Sequence, residues 1–170
     1  HQTKARLPWL VLGLMGGFAA ASIMGGFEDA LTQYPELFYF TPLIAAMAGN
    51  VGVQSSAIVV QGLATNNIKG SMWSRMLKEI ALSVVNGVVL AILIFLLGSI
   101  FQYHSDISMT ISISLIIVII IASLIGTFVP LILDKNGIDP AVATGPFITT
   151  SNDIFGIFIF FFVAKLILGF

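Results

Sequence analysis

The sequence predicts an all-α integral membrane protein, and its composition, hydropathy and pattern of apolar runs support this prediction. Of its 170 residues, 58% are hydrophobic and only 9% are charged, whereas soluble domains carry about 25% charged residues. The mean hydropathy is +1.05. The apolar runs are longer than the ten or so residues of a transmembrane β-strand and lack its alternation. These features indicate helices that cross a lipid bilayer.

The apolar runs divide the chain into spans that form a single transmembrane domain. Each is long enough to cross about 30 Å of hydrocarbon at about 1.5 Å rise per residue. The five predicted spans cover residues 8–27, 38–64, 79–101, 108–133 and 144–168. The absence of Cys excludes disulfides and thiolate metal sites, and a net charge of -1 gives no reason to expect a nucleic-acid partner.

The charges between the spans predict their orientation, because short connections rich in Lys and Arg stay in the cytoplasm. Six basic residues fall on one side, namely Lys4, Arg6, Lys69, Arg75, Lys78 and Lys135. The predicted topology is therefore multi-pass in the cell (inner) membrane, with the N-terminus cytoplasmic and the C-terminus outside. The opposite connections are acidic, and Glu28 lies at this outer rim. Such acids either concentrate cations or are ordinary solvated loop residues.

The first two spans carry small and polar residues at helical spacing. In the first, Gly13, Gly17, Ala21 and Gly25 form a smooth stripe that is suited to close packing against another helix. In the second, Asn50 and Gln54 share a face with Ala46. The adjacent face carries Ala48, Gly52 and Ser56. The two amides need partners at membrane depth, so they either line a pore or bridge neighbouring helices.

The last span carries a carboxylate, Asp153, roughly nine residues from its start. An acid at this depth costs several kcal/mol and indicates a functional site with a partner. Lys165 is twelve residues further on, roughly 18 Å along a helix, and is expected to reach the far interface. The remaining partners are a proton or a transported cation. Thr149 and Gly156 lie on the same helix face as Asp153.

The groups available in the membrane restrict the ion. The spans offer oxygen and amide ligands only, which favours a hard cation such as Mg²⁺, Ca²⁺, Na⁺ or H⁺. Two copies of Asp153 around a two-fold axis would balance a divalent ion, and Mg²⁺ binds through one or two carboxylates while it keeps several waters. The residues thus favour a homodimer. A proton or monovalent path within one subunit is the alternative.

Three motifs give the chain a family resemblance. They are Gly49-Asn50-Val51-Gly52-Val53-Gln54-Ser55, Asp139-Pro140-Ala141 and Thr149-Thr150-Ser151-Asn152-Asp153. With them, nearly the whole chain resembles the membrane domain of the MgtE family of magnesium channels and transporters. Many members also carry cytosolic amino-terminal domains that sense Mg²⁺. No such segment precedes Lys4, so we expect feedback of that type to be absent.

The resemblance implies a homodimer of five-helix protomers in the bilayer, with the pore at the dimer interface between the second and fifth helices. A largely hydrated Mg²⁺ would be held there by Asp153. The expected pore-lining residues are Ala46, Asn50, Gln54, Thr149, Thr150 and Gly156. Asp139 matches an acidic position at the cytoplasmic mouth of the pore. From the residues alone, it could equally cap the next helix.

The predicted function is Mg²⁺-selective transport driven by the electrochemical gradient. A dication that crosses −100 mV gains about 4.6 kcal/mol. The alternatives are a proton- or sodium-coupled transporter of divalent cations and a membrane scaffold that transports nothing. The sequence shows no nucleophile–base pair, no HExxH and no phosphate-binding loop, which argues against an enzyme.

Overall fold

The structure, a computed structural model, describes residues 1–66, 72–143 and 145–170 and consists of helices in this part of the chain. The helices are α1 (Gln2–Gly25), α2 (Glu28–Gln33), α3 (Glu36–Ala64), α4 (Met72–Ile100), α5 (Ser105–Lys135) and α6 (Pro146–Leu168), with a 3₁₀ turn at Pro140–Ala143 before α6. Within these ranges, five helices are long and apolar enough to cross a membrane, which confirms the predicted number. Lys69 and Thr144, which the sequence analysis used, lie outside the described residues.

The helices extend beyond the apolar runs that predicted them. The first begins at Gln2 rather than near Pro8, and α4 begins at Met72 rather than near Glu79. The flanking Lys, Arg and Glu residues are good helix formers, so the helices continue into polar sequence. The connection after the first span, predicted as a loop, contains the short helix α2. Because α4 begins at Met72, Glu79 lies about two turns inside this helix.

Contacts between small residues and their neighbours give the helix directions. Gly52 lies beside Asn152, whereas Gly49 lies beside Asp153, so α3 and α6 run antiparallel. Gly13 and Gly16 both lie beside Thr150, and Gly16 also lies near Ile154 one turn later, so α1 runs parallel to α6. Helix α5 packs against α3, α4 and α6 and is the centre of the bundle.

The buried interior of the described residues combines apolar side chains with the hydroxyl groups of Ser and Thr. Its largest fully buried apolar side chains are Leu37, Ile44, Leu115, Ile119, Ile148, Phe160 and Phe161. Each such side chain contributes about 1.5–3 kcal/mol when it leaves water. In a bilayer their role is close packing, because lipid tails are as apolar as the core.

An aromatic cluster, formed by Phe27, Tyr34, Phe161 and Phe170, ties the last turns of α6 to the segment around α2. The Phe27 and Phe161 rings stack with centroids 5.1 Å apart, and Phe170 packs within 6.2 Å of Phe27. The Tyr34 hydroxyl donates a hydrogen bond to the Leu168 carbonyl at 3.4 Å. This end of α6 is therefore anchored by ring packing and a polar contact.

Helix α1 uses a different small-residue face from the predicted one. Gly16 is buried, and a methyl group on it would overlap the Thr150 side chain. Gly17 and Gly25, which belong to the predicted stripe, have open space beside them. The packing face is rotated because α6 approaches over Gly13 and Gly16, and sequence spacing does not reveal which side a neighbour occupies.

Candidate functional site

A polar groove lies between the antiparallel helices α3 and α6 and is open on one side. It has a volume of about 480 Å³ and is lined by Ala45, Ala46, Gly49, Asn50, Val53, Gln54, Thr149 and Asp153. Five of these residues were predicted as site residues from the sequence. They are Ala46, Asn50, Gln54, Thr149 and Asp153. The fold therefore brings the carboxylate and both amides to one surface.

Helix α3 forms the amide wall of the groove. Ala46, Asn50 and Gln54 are exposed on it at intervals of four residues, as the helical period predicted. The adjacent face, with Ala48, Gly52 and Ser56, is buried in the protomer. The small face permits close packing, while the amide face remains free to contact an ion, water or another chain.

Helix α6 forms the other wall and carries the carboxylate. Asp153 is half-buried and lies against the bare backbone of Gly49. A methyl group on Gly49 would lie 3.8 Å from Asp153 Oδ1 and 3.8 Å from Thr149 Cγ2. Within the described residues, the Asp153 carboxylate takes part in no hydrogen bond or ion pair. Its oxygens are thus available for a ligand that enters the groove.

Lys165 is not a partner for Asp153. It borders a separate pocket near the aromatic cluster, together with Asp29 and Gln33 of α2. The distance along α6 and this location agree with the expectation that Lys165 reaches an interface. The charge of Asp153 is therefore not balanced by the base on its own helix.

Thr150 and Gly156, both predicted to line a pore, lie outside the groove. The side chain of Thr150 contacts Gly16 of α1, in a crevice that Asp153 also borders. Gly156 is buried, and a methyl group on it would lie 3.3 Å from Ala48 Cβ. Gly156 is three residues after Asp153, so its position is turned by about 60° around the helix axis. This rotation moves Gly156 into the protomer interior.

The two acids predicted at the ends of a pore are exposed and lie apart from the groove. Asp139 Oδ1 accepts a hydrogen bond from the Ala141 backbone N–H at 3.0 Å, so this carboxylate caps the 3₁₀ turn before α6. Glu28 lies in the first turn of α2, where the helix dipole favours an acid. Neither residue lines the groove of this protomer.

Asn152 was not singled out by the sequence analysis, although it directly precedes Asp153. It is 2% exposed and packs against Gly52 of α3. Neither its side-chain oxygen nor its nitrogen has a hydrogen-bond partner within the described residues. Asn152 and Asp153 point in directions about 100° apart around α6, so Asp153 faces the groove while Asn152 faces the interior. The sequence signal that could have identified Asn152 was its position inside the polar motif Thr149–Asp153.

The groove offers few ligands for a bare metal ion. Residues 1–66, 72–143 and 145–170 contain no cluster of three or more His, Cys, Asp and Glu side chains. One carboxylate, two amides and one hydroxyl line the groove instead. This set is suited to a hard cation that keeps most of its water, because the amides and the hydroxyl can bind the hydration shell.

Comparison with known proteins identifies a matching family and several relatives of this chain. The MgtE family profile, described as a divalent cation transporter, matches residues 41–163. The magnesium transporter MgtE of Bacillus subtilis is 39% identical over 160 residues, or 94% of this chain and 36% of that protein. The magnesium transporter MgtE of Enterococcus faecalis is 36% identical over 95% of the chain and 36% of that protein.

A third relative, the magnesium transporter MgtE of Thermus thermophilus, is 32% identical over 96% of this chain and 36% of its own length. The chain thus spans about a third of the length of the curated relatives it matches. The family match includes α6 up to residue 163 and nearly all of α3, so both walls of the groove lie within it. Because the profile matches most of the chain and the relatives match nearly all of it, the chain belongs to the MgtE family, which is described as a divalent cation transporter family.

Proposed function

We propose that this chain forms the ion-conducting part of a Mg²⁺ transporter, with the groove between α3 and α6 as one half of the pore. The proposal depends on the position of Asp153. This carboxylate lies on a membrane-crossing helix, faces a polar groove and forms no ion pair with a basic residue within the described residues. An acid in that position indicates an ion pathway. The relatives named above are magnesium transporters, which supports Mg²⁺ as the cargo.

The exposure of the two amides supports a homodimer. Asn50 and Gln54 lie in the middle of a membrane-crossing helix, yet both are exposed in the protomer. Contact with lipid would leave their polar atoms without hydrogen bonds, at several kcal/mol for each group. A second copy of the chain, related by a two-fold axis, would cover this face and enclose the groove as a water-filled pore.

Charge balance supports the same arrangement. Two Asp153 carboxylates carry the −2 charge that neutralises one Mg²⁺, and no other acid of the described ranges lines the groove. Mg²⁺ dehydrates reluctantly, so it would keep most of its waters while these hydrogen-bond to Asn50, Gln54 and Thr149. The ion is held loosely enough to leave, which conduction requires.

The predicted topology and the membrane potential together give the expected direction of flux. With the N-terminus in the cytoplasm, Asp139 lies at the cytoplasmic end and Glu28 at the outer end, where each acid raises the local cation concentration. A membrane potential that is negative inside then drives Mg²⁺ inward by about 4.6 kcal/mol per 100 mV. Thr150 and Gly156 act through helix packing, because both contact other helices of the protomer.

Flux of Mg²⁺ into proteoliposomes at a clamped voltage tests this proposal. We compare the unchanged chain with Asp153→Asn and with the control Asp106→Asn, which alters an exposed acid at the start of α5. The Asp153→Asn substitution preserves side-chain size and removes the charge that balances the ion. We expect uptake to fall by about 100-fold or more in this variant and to stay unchanged in the control.

The same preparation separates the alternatives. Flux that follows a pH or Na⁺ gradient when the voltage is held at zero indicates a coupled transporter instead of a channel-like path. If the unchanged, folded chain moves no divalent cation, the scaffold interpretation is correct and the proposal is wrong. Equal flux in Asp153→Asn and in the unchanged chain also overturns the assignment of Asp153.

A further inference from the structure

A second carboxylate, Glu79, lies inside the membrane-crossing part of the bundle and is separate from the groove. It is half-buried, about two turns from the start of α4. The Ser123 hydroxyl of α5 donates a hydrogen bond to its Oε2 at 2.8 Å. Glu79 therefore anchors α5 at this depth.

A second hydrogen bond connects Ser123 to α3, the helix that forms the amide wall of the groove. The Ser55 hydroxyl of α3 donates to Ser123 Oγ at 3.3 Å, and both serines are buried. Ser55 directly follows Gln54, which lines the groove. Nearby, a methyl group on Gly126 would lie 3.1 Å from Ser55 Cβ, so the two backbones are close at this crossing. A chain of side chains thus links Glu79 to α3 through α5.

The surroundings of Glu79 do not supply another role for its charge. Within the described ranges it forms no ion pair, although Arg75 and Lys78 lie within one turn on the same helix. Helix α5, the element packed most extensively against α4, faces it with the hydroxyl of Ser123. A carboxylate at this depth is costly unless it is used.

We propose that Glu79 is a positioning residue for ion conduction. Through Ser123 and Ser55 it holds α3 in the rotation that presents Asn50 and Gln54 to Asp153. Glu79 lies outside the groove and touches no ion. This inference rests on the proposed function of the groove, and it assigns the role to the hydrogen-bond acceptor of Glu79 and not to its charge.

The chain offers a matched control for this idea. Ser112 is also a buried serine of α5 with a hydrogen bond to α4, in this case from its hydroxyl to the Ala91 carbonyl at 3.2 Å. Its bond ends at α4, whereas the bond of Ser123 connects onward to α3. Ser112→Ala and Ser123→Ala therefore remove the same chemistry from the same helix pair.

Mg²⁺ flux is measured for Glu79→Ala, Glu79→Gln, Ser123→Ala and Ser112→Ala. We expect maximal flux to fall about 10-fold in Glu79→Ala and Ser123→Ala, with the half-saturating Mg²⁺ concentration unchanged. Glu79→Gln retains an acceptor and is expected to remain within about twofold of the unchanged chain, as is Ser112→Ala. If Glu79→Gln fails as badly as Glu79→Ala, or if Glu79→Ala conducts normally, the positioning role is overturned.

A second readout is independent of flux and of the proposed function. The sequence has no Cys, so Val53→Cys places a single reporter thiol in the groove wall. We expect its labelling rate with a water-soluble thiol reagent to change about threefold or more in the Glu79→Ala background and to stay constant with Ser112→Ala. An unchanged rate overturns the inference. If the labelling rate changes as expected in the Glu79→Ala background but the unchanged chain moves no Mg²⁺, only the transport proposal is refuted.

Discussion

Substitution of Gly52 by Ala tests how closely α6 must approach α3. The added methyl group would overlap the Asn152 side-chain nitrogen and would lie 3.0 Å from Ile148 Cγ2 and 3.1 Å from Asn152 Cγ. Both neighbours are buried, at 2% exposure for Asn152 and 0% for Ile148, so neither side chain can swing into open space. The methyl group therefore forces α6 away from α3.

The expected cost follows from this overlap. An extra methyl group in a packed core costs about 1–3 kcal/mol, because side chains leave their rotamers or the backbone shifts. For a chain of this size, that corresponds to a fall of about 2–12 °C in the apparent melting temperature. Since Asn152 precedes Asp153, the displacement also moves the carboxylate relative to the amide wall, and Mg²⁺ uptake should fall.

Gly49→Ala is the matched control. It adds the same methyl group one turn earlier on α3, where the nearest atoms are Asp153 Oδ1 and Thr149 Cγ2, both at 3.8 Å. That separation is ordinary van der Waals contact. We measure thermal unfolding of each detergent-purified variant by size-exclusion chromatography after heating. Equal melting temperatures for Gly49→Ala and Gly52→Ala would refute the reasoning, because the close contact at Gly52 would then have no energetic consequence.

Two further predictions concern the flanks of the groove. Gly16→Ala should lower the melting temperature by about 2–12 °C, because its methyl group overlaps Thr150, while Gly17→Ala, with open space beside it, should not lower it. Gln54→Leu should insert and fold but conduct about 10-fold less Mg²⁺ in the proteoliposome assay, because one amide no longer binds the hydration shell. Gln61→Leu, an exposed position of α3 outside the groove, is its control, and an equal loss there would contradict the assignment.

The sequence predicts relations within one helix well. That Ala46, Asn50 and Gln54 share one face of α3, next to a face of small residues, follows from the 3.6-residue period alone. Asp153 stands out because a carboxylate in an apolar run is costly wherever the neighbouring helices lie. These features depend on chemistry and periodicity along a single segment, which a sequence contains in full.

Relations between helices were harder to predict. Gly156 was expected beside Asp153 but meets Ala48, because the position of α3 decides which part of the α6 surface is interior. Glu79 was placed at the edge of a span, since hydropathy does not show that α4 begins two turns earlier. Its link to Ser55 joins residues on different helices, and no spacing in the sequence encodes such a contact.

The aromatic cluster has a mechanical consequence for α6. The cluster holds the helix near Phe161, whereas the other end starts at Pro146 after Gly145, without a side-chain cap. Asp153 lies roughly 10 Å from Pro146 and 12 Å from Phe161, close to the middle of this lever arm. If the capless end swings about the clamped one, the carboxylate travels roughly half as far. A displacement at the Pro146 end would thus reach the Asp153 carboxylate at about half its amplitude.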